Sequence, residues 1–235
     1  MVLCTLLALS GMTLAAIQEK REPEYKMEVV QLVFLVEGDI KIKMSAEQAE
    51  KMQAEHLKLL EGLWSERKAI LVGPLTDAGK YRGLIALHVK TRDEALDLLK
   101  NDPFIKSGIL AVEPYGWYTA TNIPQKGSKF LDLETYWFGF LRTPANAPTF
   151  DEAKSKEIQA GHMANINAMA ATGDLVLAGP IAEKGDFRGV FIFRTKDKAK
   201  VEEMASKDPA IKAGRLKLEL FQWQTAKGTF PKKPK

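Results

Sequence analysis

Thiol is nearly absent from this chain: one cysteine, Cys4, stands among 235 residues. A single thiol makes no internal disulfide, and the cysteine usage points to neither an oxidising nor a reducing compartment. Histidine is scarce too, three in all, and no His or Cys pair has the close spacing of a zinc site, so no metal is expected. No cofactor fingerprint stands out either, and no cofactor is assigned. Excess charge is missing from the body of the chain. The formal net charge is +4, and Lys227, Lys232, Lys233 and Lys235 supply all of it in a segment, 227–235, that contains no acid. The rest is close to neutral, which removes the case for a nucleic-acid-binding face. With Gly228, Pro231 and Pro234 among the lysines, this basic tail is expected to be a solvated, poorly ordered end.

Charge is also missing from residues 1–17, where Leu3, Leu6, Leu7, Leu9, Met12 and Leu14 form an apolar run ending in Ala15-Ala16. The run is too short to span a bilayer comfortably, but it fits the apolar core of a signal peptide with small residues at the cut. It lacks the positive start such a signal normally has. A signal peptide would make the protein periplasmic or secreted, with no membrane contact after its removal. A loose hydrophobic arm would leave it cytoplasmic.

What the chain does have is a second copy of itself. A shift of 106 residues lays His56 on His162, Gly73-Pro74 on Gly179-Pro180, Gly83 on Gly189, Asp102-Pro103 on Asp208-Pro209, Gly108 on Gly214 and Trp117 on Trp223, with no gap. That period is too long for a solenoid repeat of roughly 20 to 50 residues and matches a small domain of roughly 100. The chain therefore divides into a module at 27–120, a linker at 121–132 containing Pro124 and Gly127, a module at 133–226, and the tail.

Each module is expected to run strand, helix, strand, strand, helix, strand. In the first, Val29–Val36 is β-branched and apolar, Ala46–Trp64 has helical spacing, Ala69–Val72 is a short strand ended by Gly73-Pro74, Gly83–Val89 is a third strand, Thr91–Lys100 a helix and Leu110–Tyr118 the last strand. The second repeats the order. Such a unit is an α+β, ferredoxin-like βαββαβ module, a four-stranded antiparallel sheet with two helices on one face. Consecutive apolar residues at Leu84–Leu87 and Phe191–Phe193 leave the open face apolar, and an apolar open face needs a partner sheet. The two sheets are expected to pack face to face within one chain, a monomeric pseudo-dimer that leaves further self-association open.

The ordered motifs carry a resemblance. A helix His, Gly-Pro 17 residues on, an Arg-Gly strand start, Asp-Pro-x-x-x-x-Gly and a final strand with an aromatic near its end occur as His56, Gly73-Pro74, Arg82-Gly83, Asp102–Gly108 and Trp117. They recur as His162, Gly179-Pro180, Arg188-Gly189, Asp208–Gly214 and Trp223. This pattern resembles the YCII-related family of the dimeric α/β-barrel superfamily, over about 29–120 and 136–226. The resemblance implies an intramolecular dimeric α/β barrel and a His-Asp active site, carried here by His56 with Asp102 and His162 with Asp208. The family includes a dehydrochlorinase of a chlorinated hydroxyquinol, and its superfamily spans lactone isomerases, small monooxygenases and haem-handling proteins. That breadth keeps the fold from naming the substrate.

For each residue two accounts stand. His56, with Leu59, Leu60 and Leu63 at i+3, i+4 and i+7, is either a satisfied core histidine or a proton-transferring group beside a pocket, and His162 likewise. Asp102 and Asp208 precede prolines as helix N-caps do, and one carboxylate has two oxygens with which to cap and to hold an imidazole. Arg82 and Arg188 are solvated turn residues or anchors for an anionic substrate. Gly73, Pro74, Gly179 and Pro180 are strand exits or backbone beside a ligand, and Trp117 and Trp223 are packing or a substrate-stacking wall. The expected function is binding or transformation of a small cyclic or aromatic molecule by His-Asp acid/base chemistry, of lyase, hydrolase or isomerase type. The alternative is a non-catalytic ligand-binding or structural pseudo-dimer.

Overall fold

The computed structural model describes residues 25–233; the expected signal peptide at 1–17 lies outside them. The first module comprises β1 (Met27–Glu37), α1 (Ala46–Ser65), β2 (Ala69–Thr76), β3 (Tyr81–Leu87), α2 (Arg92–Leu99), α3 (Pro103–Lys106) and β4 (Leu110–Ala120). The second repeats it as β5 (Leu133–Arg142), α4 (Glu152–Ala171), β6 (Leu175–Pro180), β7 (Phe187–Phe193), α5 (Lys198–Ser206), α6 (Pro209–Lys212) and β8 (Lys217–Ala226). Local chemistry sets the helix starts. Ser45 and Gln48 form a reciprocal capping box at α1, Thr91 and Glu94 another at α2, and Asp151 caps α4, so the orphan N–H groups of each first turn find acceptors.

The strands form an eight-stranded antiparallel sheet in the order β4-β1-β3-β2-β8-β5-β7-β6. Each half is the expected ferredoxin-like sheet, and the halves join at both edges. Leu75 and Thr76 of β2 pair with Trp223 and Gln222 of β8. At the other seam Trp117 bridges Ile181, and the Ala182 N–H donates to the Gly116 carbonyl at 2.7 Å. The result is the dimeric α/β barrel in one chain, closed by strand pairing as well as by sheet-to-sheet packing.

Period-two alternation sorts the side chains. Val30, Leu32, Phe34 and Val36 of β1 face the barrel interior with Trp117, Phe138, Phe140 and Trp223. Val33 and Leu35 face outward beneath the helices, with Leu60, Leu63 and Leu99. The consecutive apolar residues of β3 and β7 are thus explained: their sheets are covered on both sides.

Two local expectations need correction. β2 does not stop at Val72 but runs through Gly73-Pro74 to Thr76, because the neighbouring module supplies β8 as a partner for the extra residues. Gly73 is required there by close approach: a Cβ would fall 1.7 Å from the Gln224 carbonyl oxygen, and at Gly179 one would fall 2.1 Å from that of Tyr118. Over its described residues, 227–233, the tail is docked. Thr229 and Phe230 are buried, Phe230 packs on Tyr136 and Trp223, Gln125 N–H donates to the Thr229 carbonyl at 2.7 Å, and Lys233 pairs with Asp174 at 3.0 Å. One buried aromatic and a specific ion pair outweigh the lysine-rich composition from which disorder was expected. The linker is docked too, with Phe130 buried against Trp64 and the Arg67 guanidinium donating to the Pro124 carbonyl at 2.8 Å.

Candidate functional site

α1 turns His56 onto its buried face with Leu60, Leu63 and Trp64. The short helix α3 begins beside it, and Asp102 is its N-cap. The two roles proposed for Asp102 are divided between its oxygens: Oδ1 accepts from the N–H groups of Phe104 and Ile105 at 3.0 and 3.3 Å, while Oδ2 lies 2.5 Å from His56 Nδ1. Asp102 has no exposed surface and His56 is 8% exposed. A carboxylate accepts hydrogen bonds, so Nδ1 is the donor, and the tautomer is fixed with Nε2 left as the basic nitrogen. Nε2 has no protein hydrogen-bond partner among the described residues.

His56 lines a cavity of about 750 Å³ between α1, the outer face of β1–β3 and the linker. Gly73, Pro74, Arg82 and Gly83 are also on its wall, together with Phe104, whose ring meets the imidazole edge-on at 5.3 Å. Arg82 donates to the Gly79 carbonyl at 2.8 Å and to Glu37 at 2.7 Å, and Lys41 pairs with the same Glu37. Lys41, and after it Arg82, hold the Glu37 carboxyl below its usual range.

The second pair has a similar hydrogen-bond pattern and different surroundings. His162 Nδ1 lies 2.7 Å from Asp208 Oδ2, and Asp208 Oδ1 accepts from the Ala210 N–H at 2.8 Å. The imidazole lies nearly parallel to Phe191, at 6.1 Å and 21°, where the first module has Ile85. Arg188 donates weakly to the Gly185 carbonyl at 3.4 Å. Trp117 and Trp223 are fully buried in the barrel interior, away from the cavity. Trp117 Nε1 donates to the Gly179 carbonyl at 3.1 Å, and Trp223 Nε1 sits 3.3 Å from where a Cβ on Gly73 would be. The conserved-in-register Gly-Pro and Trp residues therefore meet each other across the two seams. Among the described residues no three His, Cys, Asp or Glu side chains gather as a metal cage, and no helix is long and apolar enough to cross a membrane.

The YCII-related domain model matches residues 27–115 and again 140–224. The chain belongs to the YCII-related family. Its two YCII modules together have the fold of solved structures that are each a single chain of similar size. One is a mutant chlorite dismutase from Candidatus Nitrospira defluvii, 11% identical, covering 87% of this chain and 93% of that one, with a TM-score of 0.56. Another is a heme-binding protein from Thermus thermophilus, 9% identical, covering 86% and 92%, with a TM-score of 0.56. Likeness at these identities is a likeness of fold. No curated protein matches the chain.

Several wall residues of the first YCII module escape motif reasoning. Gln53 lies one turn before His56 and lines the cavity; the duplication carried its signal, since Gln159 stands in the same register before His162. Phe130, Leu131 and Leu133 reach the cavity from the linker and the start of β5. The repeat did not reveal them: Phe130 and Leu131 belong to the join between modules, and Leu133, in register with Met27, opens β5.

Proposed function

We propose that the first YCII module binds and transforms a small molecule, with His56 as the proton-transferring group and Asp102 as its positioning partner. The observation that carries this is a buried imidazole with Nδ1 held 2.5 Å from a carboxylate while the ring lines a 750 Å³ cavity. In a deprotonation, Nε2 takes a proton from a C–H or O–H of the ligand, the Asp102 carboxylate stabilises the imidazolium, and the same nitrogen returns the proton at the leaving or rearranging atom. Gly73, Pro74 and Arg82 shape the wall. The ligand class is a cyclic or aromatic compound, and the reaction a lyase, hydrolase or isomerase step. Export through residues 1–17 belongs to the same proposal. The test is a thermal-shift and turnover screen of phenols, quinols and lactones against the full chain and its His56→Ala and His162→Ala forms. Hits should be lost in His56→Ala and kept in His162→Ala; hits unaffected by His56→Ala would refute the assignment.

The unpartnered Nε2 also supports a second reading, in which His56 would hold a haem iron. An imidazole backed by a carboxylate is the arrangement in which metal-bound histidines are commonly held, and the apolar walls suit a porphyrin. Bound iron would supply redox or ligand-exchange chemistry. The rim fits less well, because Glu37 already engages both Arg82 and Lys41. Titration with hemin decides: a Soret band that forms with the native chain and not with His56→Ala selects this reading over the first.

A further inference from the structure

The cavity wall separates into a deep part and a rim of different chemistry. Among its buried lining residues, which include Leu35, Leu60, Val72 and Ile85, His56 is the one polar side chain. At the rim, Ile40, Ile42, Leu131 and Leu133 are exposed at 47, 50, 57 and 37%. Nine large apolar side chains are exposed among the described residues, so almost half of them border this one opening. Exposed apolar surface concentrated at one place marks something that covers it. The rim cations call for no anion of their own, since Glu37 bonds to both Lys41 and Arg82.

From these features we infer that the ligand is an amphiphile with an elongated apolar chain, in the class of medium-chain alcohols and acids. Its hydroxyl, or a carboxyl that brings its own proton, donates to Nε2 of His56, and its chain passes out among Ile40, Ile42, Leu131 and Leu133. A compact ring held at His56 leaves those four side chains in water; a chain that reaches them removes their surface and its own. The inference rests on the reading of the His56 cavity as a ligand site and departs from that reading in ligand class, an open chain in place of a compact ring. It also makes the join between modules part of specificity, because Leu131 and Leu133 enter from the linker and β5.

The test is displacement of the neutral fluorophore N-phenyl-1-naphthylamine from the full chain by n-alkanols and n-alkanoates of four to twelve carbons, with phenol and hemin as comparators. The competition constant should tighten about 4-fold per added methylene and level off once the chain passes the rim. Leu131→Lys and Ile42→Lys, both at exposed positions that tolerate a lysine, should weaken the long members about 10-fold and spare the short ones. His56→Ala should weaken every member by one common factor. A flat dependence on chain length, no displacement by any member, or stronger displacement by phenol or hemin overturns the inference. The proposed function fails separately, through turnover of rings that does not depend on His56.

Discussion

His56 meets Phe104 edge-on at 5.3 Å and lines an open volume, whereas His162 lies parallel to Phe191 at 6.1 Å, with Ala210 where the first module has Phe104. The hydrogen-bonded core of the two sites is nearly superposable: Nδ1 to Oδ2 at 2.5 and 2.7 Å, and the other oxygen on the helix start. Duplication has thus kept the part that folds and varied the side chains around it. Asp102 and Asp208 explain why. Each joins α1 or α4 to a short helix by capping and by the imidazole, so its loss damages structure whether or not the site works. Retention in both copies is therefore weaker support for two working sites than the sequence suggests, and the cavity lining is the better guide.

The largest effect should come from the seams, where the modules are equivalent. Gly73→Ala and Gly179→Ala each drive a Cβ into a backbone carbonyl of the other module, at 1.7 and 2.1 Å, and neither carbonyl can move without unpairing its strand. Each should cost about 3 kcal/mol in urea unfolding. A loss from one alone would show that the two seams are not equally tight.

Asp102→Ala and Asp208→Ala come next. Each removes a cap and leaves a buried imidazole N–H without an acceptor, for about 2 kcal/mol. Stability should fall equally in the two, while ligand binding disappears with Asp102 only. Equal loss of binding would assign a working site to both modules.

These substitutions divide what the sequence displayed from what it hid. The alternation of Val30, Leu32, Phe34 and Val36 against Val33 and Leu35, the capping pair Ser45 and Gln48, and the Asp-Pro starts are local patterns, and they yield the module. The 106-residue register then brought out His and Asp together without coordinates. The continuation of β2 past Gly73-Pro74 was invisible because its partner is a strand some 150 residues away. The burial of Phe230 was masked by the lysines around it. The rim residues Ile40, Ile42, Leu131 and Leu133 stand on segments far apart in the chain, and only the fold gathers them.

A smaller and more selective change is Ile85→Phe, which gives the first module the ring that lies on His162. The aromatic should take up cavity volume beside His56 and weaken ligand binding about 10-fold, with little change in the unfolding midpoint if the ring occupies space that is already empty. The reciprocal Phe191→Ile should not create binding by itself, because Phe230, the aromatic described after the second module, packs on Tyr136 and Trp223 and not beside His162. Binding gained by Phe191→Ile would show that this one ring is the whole difference.

The least effect is expected at the end of the chain, where only the second module has a carboxylate. Asp174 stands in register with Lys68. Burial acts to raise its carboxyl, but Lys200, Lys233 and the Thr172 hydroxyl outweigh that and leave it below the usual range. A carboxyl lowered in the folded state adds stability above its unfolded value, about pH 3.9, and that increment disappears as the pH falls through the folded value. Acidification through and below that unfolded value should therefore loosen the anchor of Lys233 and expose the tail around Phe230 before the first module opens. Asp174→Asn should remove this acid-dependent step. Hydrogen exchange at Thr229 and Phe230 reads it directly: protection that drops in acid in the native chain, and is low and independent of pH in Asp174→Asn, locates the weaker of the two modules at its carboxylate.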